Sequence, residues 1–210
     1  MTGGETPLSR ARHAAMAELR ATPQAVSWRR QALWLVQAQV GLALAGMAVA
    51  LVAGLARPSE LFFHAVTVGP LLVVAVLGAI AALAPRVGRV GSSWRIGALG
   101  AAAAAMVAVT LARGAGSPSD SPEWVCSVSH LGVGLVPLAF ALAGLRQSAP
   151  SWGRALAAGL GAGTTGALLG ELVCHRGMQH VLVYHLGAWL LLAVSCAVIS
   201  RRLRRRSFAP

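Results

Sequence analysis

Apolar residues gather into six long runs, roughly 34–56, 61–84, 95–112, 124–145, 152–174 and 180–200. A helix rises 1.5 Å per residue, so each run can cross the roughly 30 Å hydrocarbon core of a bilayer. The breaks between them, "ARPSE", "APRVGRVGSS", "RGAGSPSDSPE", "RQSAPS" and "CHRGMQ", are rich in the Pro, Gly, Ser and charge that end helices. The pattern predicts an all-α membrane protein, a six-transmembrane-helix bundle over residues 34–200 with both termini on one side. Residues 1–30 carry no apolar run and no small-residue cleavage site, so the first span is expected to act as its own insertion signal.

Residues 1–33 follow a different pattern. In "TPLSRARHAAMAELRATP", Thr6 reads as an N-cap and Pro7 as the first helical residue. Leu8, Ala11, Ala15 and Leu19 share a face that Arg12 interrupts, and Arg10, His13, Ala17 and Arg20 stand opposite. Thr22-Pro23 repeats the start signal and leads through "AVSWRRQALW" into the first span. The result is a short amphipathic helix hinged to a bundle, suited to lying on a lipid surface or to docking a cytoplasmic protein.

Composition agrees with the pattern. The chain is 56% hydrophobic and 11% charged, where a soluble domain carries about a quarter charged residues. The net charge of +12 resembles a nucleic-acid footprint, but its placement argues otherwise. Fifteen of the 18 basic residues, all arginine, fall on the side of the termini, including Arg29, Arg30, Arg95, Arg146, Arg154 and the "RRLRRR" of the basic tail 201–210. Only Arg57, Arg113 and Arg176 fall on the other side. The positive-inside rule then sets both termini in the cytoplasm of a bacterial inner membrane, with the tail against anionic headgroups and no direct nucleic-acid contact expected.

Inside the fifth run, Gly159, Gly163, Gly166, Gly170 and Cys174 recur at spacings of three and four, a small-residue seam along which another helix can approach. The seam aims Cys174 into the bundle. Cys126 opens the fourth run, and His130, His175, His180, His185 and His64 lie at the same level, with Glu171 one turn inside the end of the fifth run. An acid in a span faces the interior and takes a partner; a protonated His175 is the expected one.

Three readings of this cluster stay open. Cys126 and Cys174 can form a disulfide or redox-responsive thiol pair in the oxidising outer compartment. Thiolate and imidazole can hold a transition metal of the Zn, Cu or Cd type, with Cys126, Cys174, His130 and His175 as the ligand set and His180, His185 and Glu171 as further candidates. The same residues can simply pack, as Cys196 on the last run is expected to. Bis-histidine haem, for instance on His130 and His185, has no CxxCH motif behind it.

The quoted segments also resemble a known family. "WRRQALWL" after a cytoplasmic helix, "WVC" opening the fourth span, Pro137 midway down it, "LRQSAP", "ALLGELVCHRGMQHVLVYHLGAWLLL" and the closing "ISRRLRR" are similar to the NrsF family of six-span membrane anti-sigma factors. The resemblance implies a non-enzymatic regulator that holds an extracytoplasmic-function sigma factor at the membrane. It also implies that Cys126 and Cys174, matching the family's two outer cysteines, answer redox, heavy-metal or photooxidative stress. After Cys174 the chain departs from the family pattern, with His175, Arg176 and Gly177 in place of a proline and acidic residues. On this reading Leu8, Arg10, Arg12, Met16, Leu19 and Arg20 form the docking surface for the sigma factor, with help from inner loops around Arg86–Arg95 and 146–154. Homo-oligomerisation stays open. The rival reading is a small membrane oxidoreductase or transport protein that uses the Cys/His cluster directly on a metal or haem; against it, transporters keep ionisable groups at the midplane, where these runs are almost wholly apolar.

Overall fold

A computed structural model of the protein describes residues 7–21, 27–55, 61–84, 90–114, 116, 122–146 and 151–204. Among them the chain forms seven helices and no strand. These are α1 (Pro7–Ala21), α2 (Trp28–Val52), α3 (Leu61–Leu83), α4 (Val90–Ala112), α5 (Trp124–Arg146), α6 (Trp152–Val173) and α7. The last is composite: a first turn Met178–His180, a π-helical stretch Val181–Leu186 and an α-helical run Gly187–Arg204.

Five helices are long and apolar enough to cross a membrane: Trp28–Val52, Ser93–Ala112, Trp124–Arg146, Trp152–Val173 and Met178–Leu203. In α3 the described apolar stretch is the shorter Thr67–Leu83. The first span starts earlier than the apolar pattern suggests. It begins at Trp28, where the Ser27 side chain accepts a hydrogen bond from the Arg30 amide. Thr22-Pro23, the expected start, lies outside the described residues, as does Thr6 ahead of α1.

Helices α2 to α7 alternate in direction. At one end Gln31, Leu83 and Gly144 come together from α2, α3 and α5; Arg95 of α4 bonds Ser151 at 3.1 Å, and Arg201 of α7 lies 3.9 Å over the Trp152 ring. At the other end gather the close of α4, the start of α5, the close of α6 and the start of α7. The first is the arginine end and the second the cysteine end. Arg154 at the foot of α6 is buried, which removes it from the exposed inner surface expected to help hold a partner.

Helix α6 is the axle. Its small residues let three neighbours close on it, and its own side chains are buried along nearly its whole length. Gly161 meets Gly78 of α3 backbone to backbone: a Cβ on Gly78 would sit 2.8 Å from the Gly161 Cα. The seam on the other face holds as the spacing predicts. A Cβ on Gly159 would lie 2.5 Å from the Ala193 Cα, and one on Gly163 would run into the Trp189 ring. Association inside a bilayer gains nothing from excluding water, so such close packing and interhelical hydrogen bonds must supply it. Two such bonds reach the α6 backbone: Trp189 Nε1 donates to the Leu160 carbonyl at 2.6 Å, and Gln39 Nε2 of α2 donates to the Gly161 carbonyl at 2.8 Å. Leu35, Leu83, Leu138, Leu145 and Cys196 fill the core toward the arginine end, so Cys196 packs as expected.

Candidate functional site: the cysteine end of the bundle

Three elements deliver the cluster. Cys126 stands on the first turn of α5, Cys174 is the extended residue that stops α6, and His180 and His185 come from the start of α7. One ligand atom from each of these four residues lies within 4.8 Å of every other. Cys174, His180 and His185 are buried and Cys126 is half-buried; all three cysteines of the chain are free thiols.

The glycine seam carries this arrangement up from the core. Gly166 presses against the His130 ring and Gly170 against the His185 ring, and a Cβ at either would come within 2.5 Å of ring atoms. His130 and His185 meet edge to face with centroids 6.1 Å apart. His180 stands edge-on to His185 at 5.4 Å and stacks on Tyr184 at 4.9 Å. Both nitrogens of His180 and Nε2 of His185 are buried without a hydrogen-bond partner.

An arginine missed in the reading of the sequence closes the site from the side. Arg113, just past α4, pairs with Glu171 at 2.9 Å and donates to the Cys174 carbonyl through Nη1 and to the Gly170 carbonyl at 3.5 Å through Nη2. It therefore neutralises the buried acid and takes up the Cys174 carbonyl just past the helix end, adding a second, longer bond to the Gly170 carbonyl that already accepts the Cys174 amide. The structure pairs Glu171 with Arg113, while Cys174 ends α6 in an extended conformation and His175 after it is exposed. The signal was available: a lone arginine and a lone in-span acid of opposite charge lie at the same membrane level. Beyond Cys174 the chain runs antiparallel to the segment after α4, bridging Gly116 and Arg176. Gly116 has a positive φ of 71°, and a side chain there would collide with the Gly177 backbone. Arg176 reaches across to Glu123 at 3.3 Å.

The cluster thus differs in membership from the sequence expectation. Cys126 and Cys174 come together. His180 and His185 complete the metal-competent set in place of His130, which packs behind His185, and of His175, which is exposed. Glu171 is engaged by Arg113. The His64 side chain lies outside the described residues. A further contributor is Ser127, whose hydroxyl donates to the Tyr184 carbonyl at 2.8 Å within the π-helical stretch.

Helix α1 presents Leu8, Arg10, Arg12 and Met16 as exposed side chains; those of Leu19 and Arg20 lie outside the described residues.

Comparison with known proteins gives two matches. The family model described as "Negative regulator of sigma F", NrsF, matches residues 15–205. The carotenogenesis protein CarR of Myxococcus xanthus is 41% identical over 204 residues, covering 97% of this chain and 90% of that protein. No solved structure matches.

Proposed function

The chain belongs to the NrsF family, the negative regulators of sigma F, and on that premise we propose that it is a multi-pass anti-sigma factor of the inner membrane. It holds an extracytoplasmic-function sigma factor at its cytoplasmic face and releases it when a stress signal reaches the cysteine end. The observation that carries the proposal is the family match, which runs from α1 to the end of α7. With α3 as a sixth span, the alternation of α2 to α7 brings both termini to the arginine end. The positive-inside rule favours that end as the cytoplasmic one.

Leu8, Arg10, Arg12, Met16, Leu19 and Arg20 of α1 are the proposed contacts with the sigma factor, the arginines meeting an acidic surface on it. Cys126 and Cys174 are the proposed trigger. Their oxidation to a disulfide would pass two electrons and two protons to an oxidant of the outer compartment. It would also draw the foot of α5 toward the end of α6, and the glycine seam leaves little slack for that movement to be absorbed locally. Turning 99% retention into 99% release requires the two states to differ in sigma affinity by about 5.5 kcal/mol. Redox, metal and photooxidative stress are the proposed inputs at these thiols; the relative is a carotenogenesis protein.

The test is purification of the tagged protein from unstressed cells in mild detergent, with identification of what accompanies it. A stoichiometric sigma factor is expected. It should be lost when residues 1–26 are deleted, a cut that keeps the Ser27 cap of α2, and when Arg10, Arg12 and Arg20 are reversed to Glu. No sigma factor in the wild-type preparation, or one retained by both variants, sinks the reading. A purified protein bearing haem but no sigma factor would revive the membrane oxidoreductase in its place.

A further inference from the structure

The start of α7 holds a geometry that an ordinary helix cannot. His180 and His185 are five residues apart, and at 3.6 residues per turn an α-helix would point them about 140° away from each other. The π-helical stretch Val181–Leu186 winds more widely and returns both rings to one side, 5.4 Å apart. Such stretches are rare, disturb the regular hydrogen-bond ladder and occur often at functional sites. Here the disturbance is held from outside, since Ser127 of α5 takes up the Tyr184 carbonyl.

What the wide turn achieves is convergence on the two thiols. The ligand atoms of Cys126, Cys174, His180 and His185 lie within 4.8 Å of one another. Zinc–sulfur bonds of about 2.3 Å and zinc–nitrogen bonds of about 2.0–2.1 Å make a tetrahedron with edges of roughly 3.3–3.8 Å. Side-chain rotation of about 1 Å therefore closes the set. His180 and His185 are 7% and 4% exposed, and Nδ1 and Nε2 of His180 and Nε2 of His185 have no hydrogen-bond partner. Buried polar atoms left unpaired are costly, and a metal ion is a partner that imidazole nitrogen accepts.

The geometry points to a four-coordinate site of two sulfurs and two nitrogens, formed by Cys126, Cys174, His180 and His185, that binds a divalent cation of the zinc class. On binding, each thiol gives up its proton and the cation takes two thiolates and two neutral imidazoles. The +2 of the ion and the −2 of the sulfurs cancel, leaving an uncharged centre, the form least penalised in low-dielectric surroundings. The carboxylates nearby are directed elsewhere, Glu171 to Arg113 and Glu123 to Arg176. Soft and borderline cations are favoured over Mg²⁺ or Ca²⁺ for that reason. The bound ion ties together the start of α5, the end of α6 and the wide turn of α7. Metal binding and oxidation of the same thiols then exclude each other, a consequence that rests on the sensing reading above, whereas the ligand set does not.

Full-length protein, purified in mild detergent and stripped with chelator, is titrated with Co²⁺. We expect one equivalent to bind with the intense visible bands of tetrahedral cobalt and a sulfur-to-cobalt charge-transfer band, both abolished by Zn²⁺. His180→Ala and His185→Ala should each weaken binding at least about tenfold, while His175→Ala should leave it unchanged. On the wild-type chain, where folding of a variant is not at issue, Zn²⁺ but not Mg²⁺ should protect Cys126 and Cys174 from alkylation as read by mass spectrometry. Absence of the tetrahedral spectrum, a spectrum and affinity unaltered in both histidine variants, or absence of protection by Zn²⁺ overturns the site. Sigma-factor content measured on the same preparation separates the two readings. Retained sigma factor without a cobalt site removes only the metal, and a cobalt site without sigma factor removes only the anti-sigma reading.

Discussion

The cysteine end of the bundle and helix α1 were built by opposite means. At the cysteine end the helices and side chains are packed against one another within the chain: Gly166 against His130, Gly170 against His185, Arg113 on Glu171 and two carbonyls, Ser127 on Tyr184. On α1 every described side chain except Ser9 is exposed, with Leu8 82% and Met16 47% accessible. Change at the first should be felt as stability and geometry. Change at the second should be felt almost entirely by whatever α1 meets.

The largest stability effect is expected at the buried ion pair. Removing one partner leaves the other charged in a place without water, which typically costs about 3–5 kcal/mol. Glu171→Leu and Arg113→Met should therefore each lower the unfolding midpoint in detergent steeply, and the double variant should recover most of the loss because it leaves no buried charge. Single variants that unfold like the wild type would show that the pair does not join α4 to α6. The contrast with α1 would then lose its strongest member.

Next come the seam glycines. An added methyl in a packed interior costs about 1–3 kcal/mol, and Gly163→Ala and Gly166→Ala should fall in that range because the Trp189 and His130 rings already touch the backbone there. Gly41 and Gly100 are also helical glycines but have open space where a Cβ would go. Alanine at either should be neutral or stabilise by up to about 1 kcal/mol, since glycine is a poor helix former. Thermal unfolding of the four variants side by side decides whether the spacing of the seam, and not glycine content in general, holds α6. Trp189→Phe is expected to lose about 0.5–1.5 kcal/mol for the deleted bond to the Leu160 carbonyl, together with a cavity term because the phenyl ring leaves part of the buried indole space empty.

Legibility in the sequence divides along the same line. Helix periodicity is a local property, so the starts of α5 and α6 at Trp124 and Trp152 and the seam through Gly159, Gly163, Gly166 and Gly170 could be read directly. The approach of Cys126 to Cys174 also followed, because two helix ends at one membrane level leave few other arrangements. Partner choice inside the cluster did not follow. The sequence offers His130, His175, His180 and His185 alike as ligands, and it is the wide turn of α7 that stands His180 and His185 with the two thiols; no composition signal marks a π-helical stretch. Arg113 reads in the sequence only as a loop charge, because charge counting fixes a side of the membrane, not a contact. In α1 the helix itself was legible from its Pro7 start, but the use of its faces is written in a surface that belongs to another molecule.

The smallest effect on stability is expected where the effect on function should be greatest. Leu8→Asp and Met16→Asp alter exposed side chains, and surface substitutions away from packed features usually stay within about 0.5 kcal/mol. Unfolding of the bundle should not register them. If α1 is the docking helix, an aspartate at either position brings like charge and lost apolar contact to an acidic partner, and sigma factor should no longer co-purify. A helix that merely rests on lipid predicts something else: both variants weaken membrane-surface contact, the five apolar helices still anchor the chain, and sigma factor is retained. The two variants therefore ask whether exposure on α1 is an unfilled interface or only a wetted face, and they ask it without disturbing the cluster at the other end. Loss of sigma factor at unchanged stability is the outcome that would make the opposition between the two regions a division of labour.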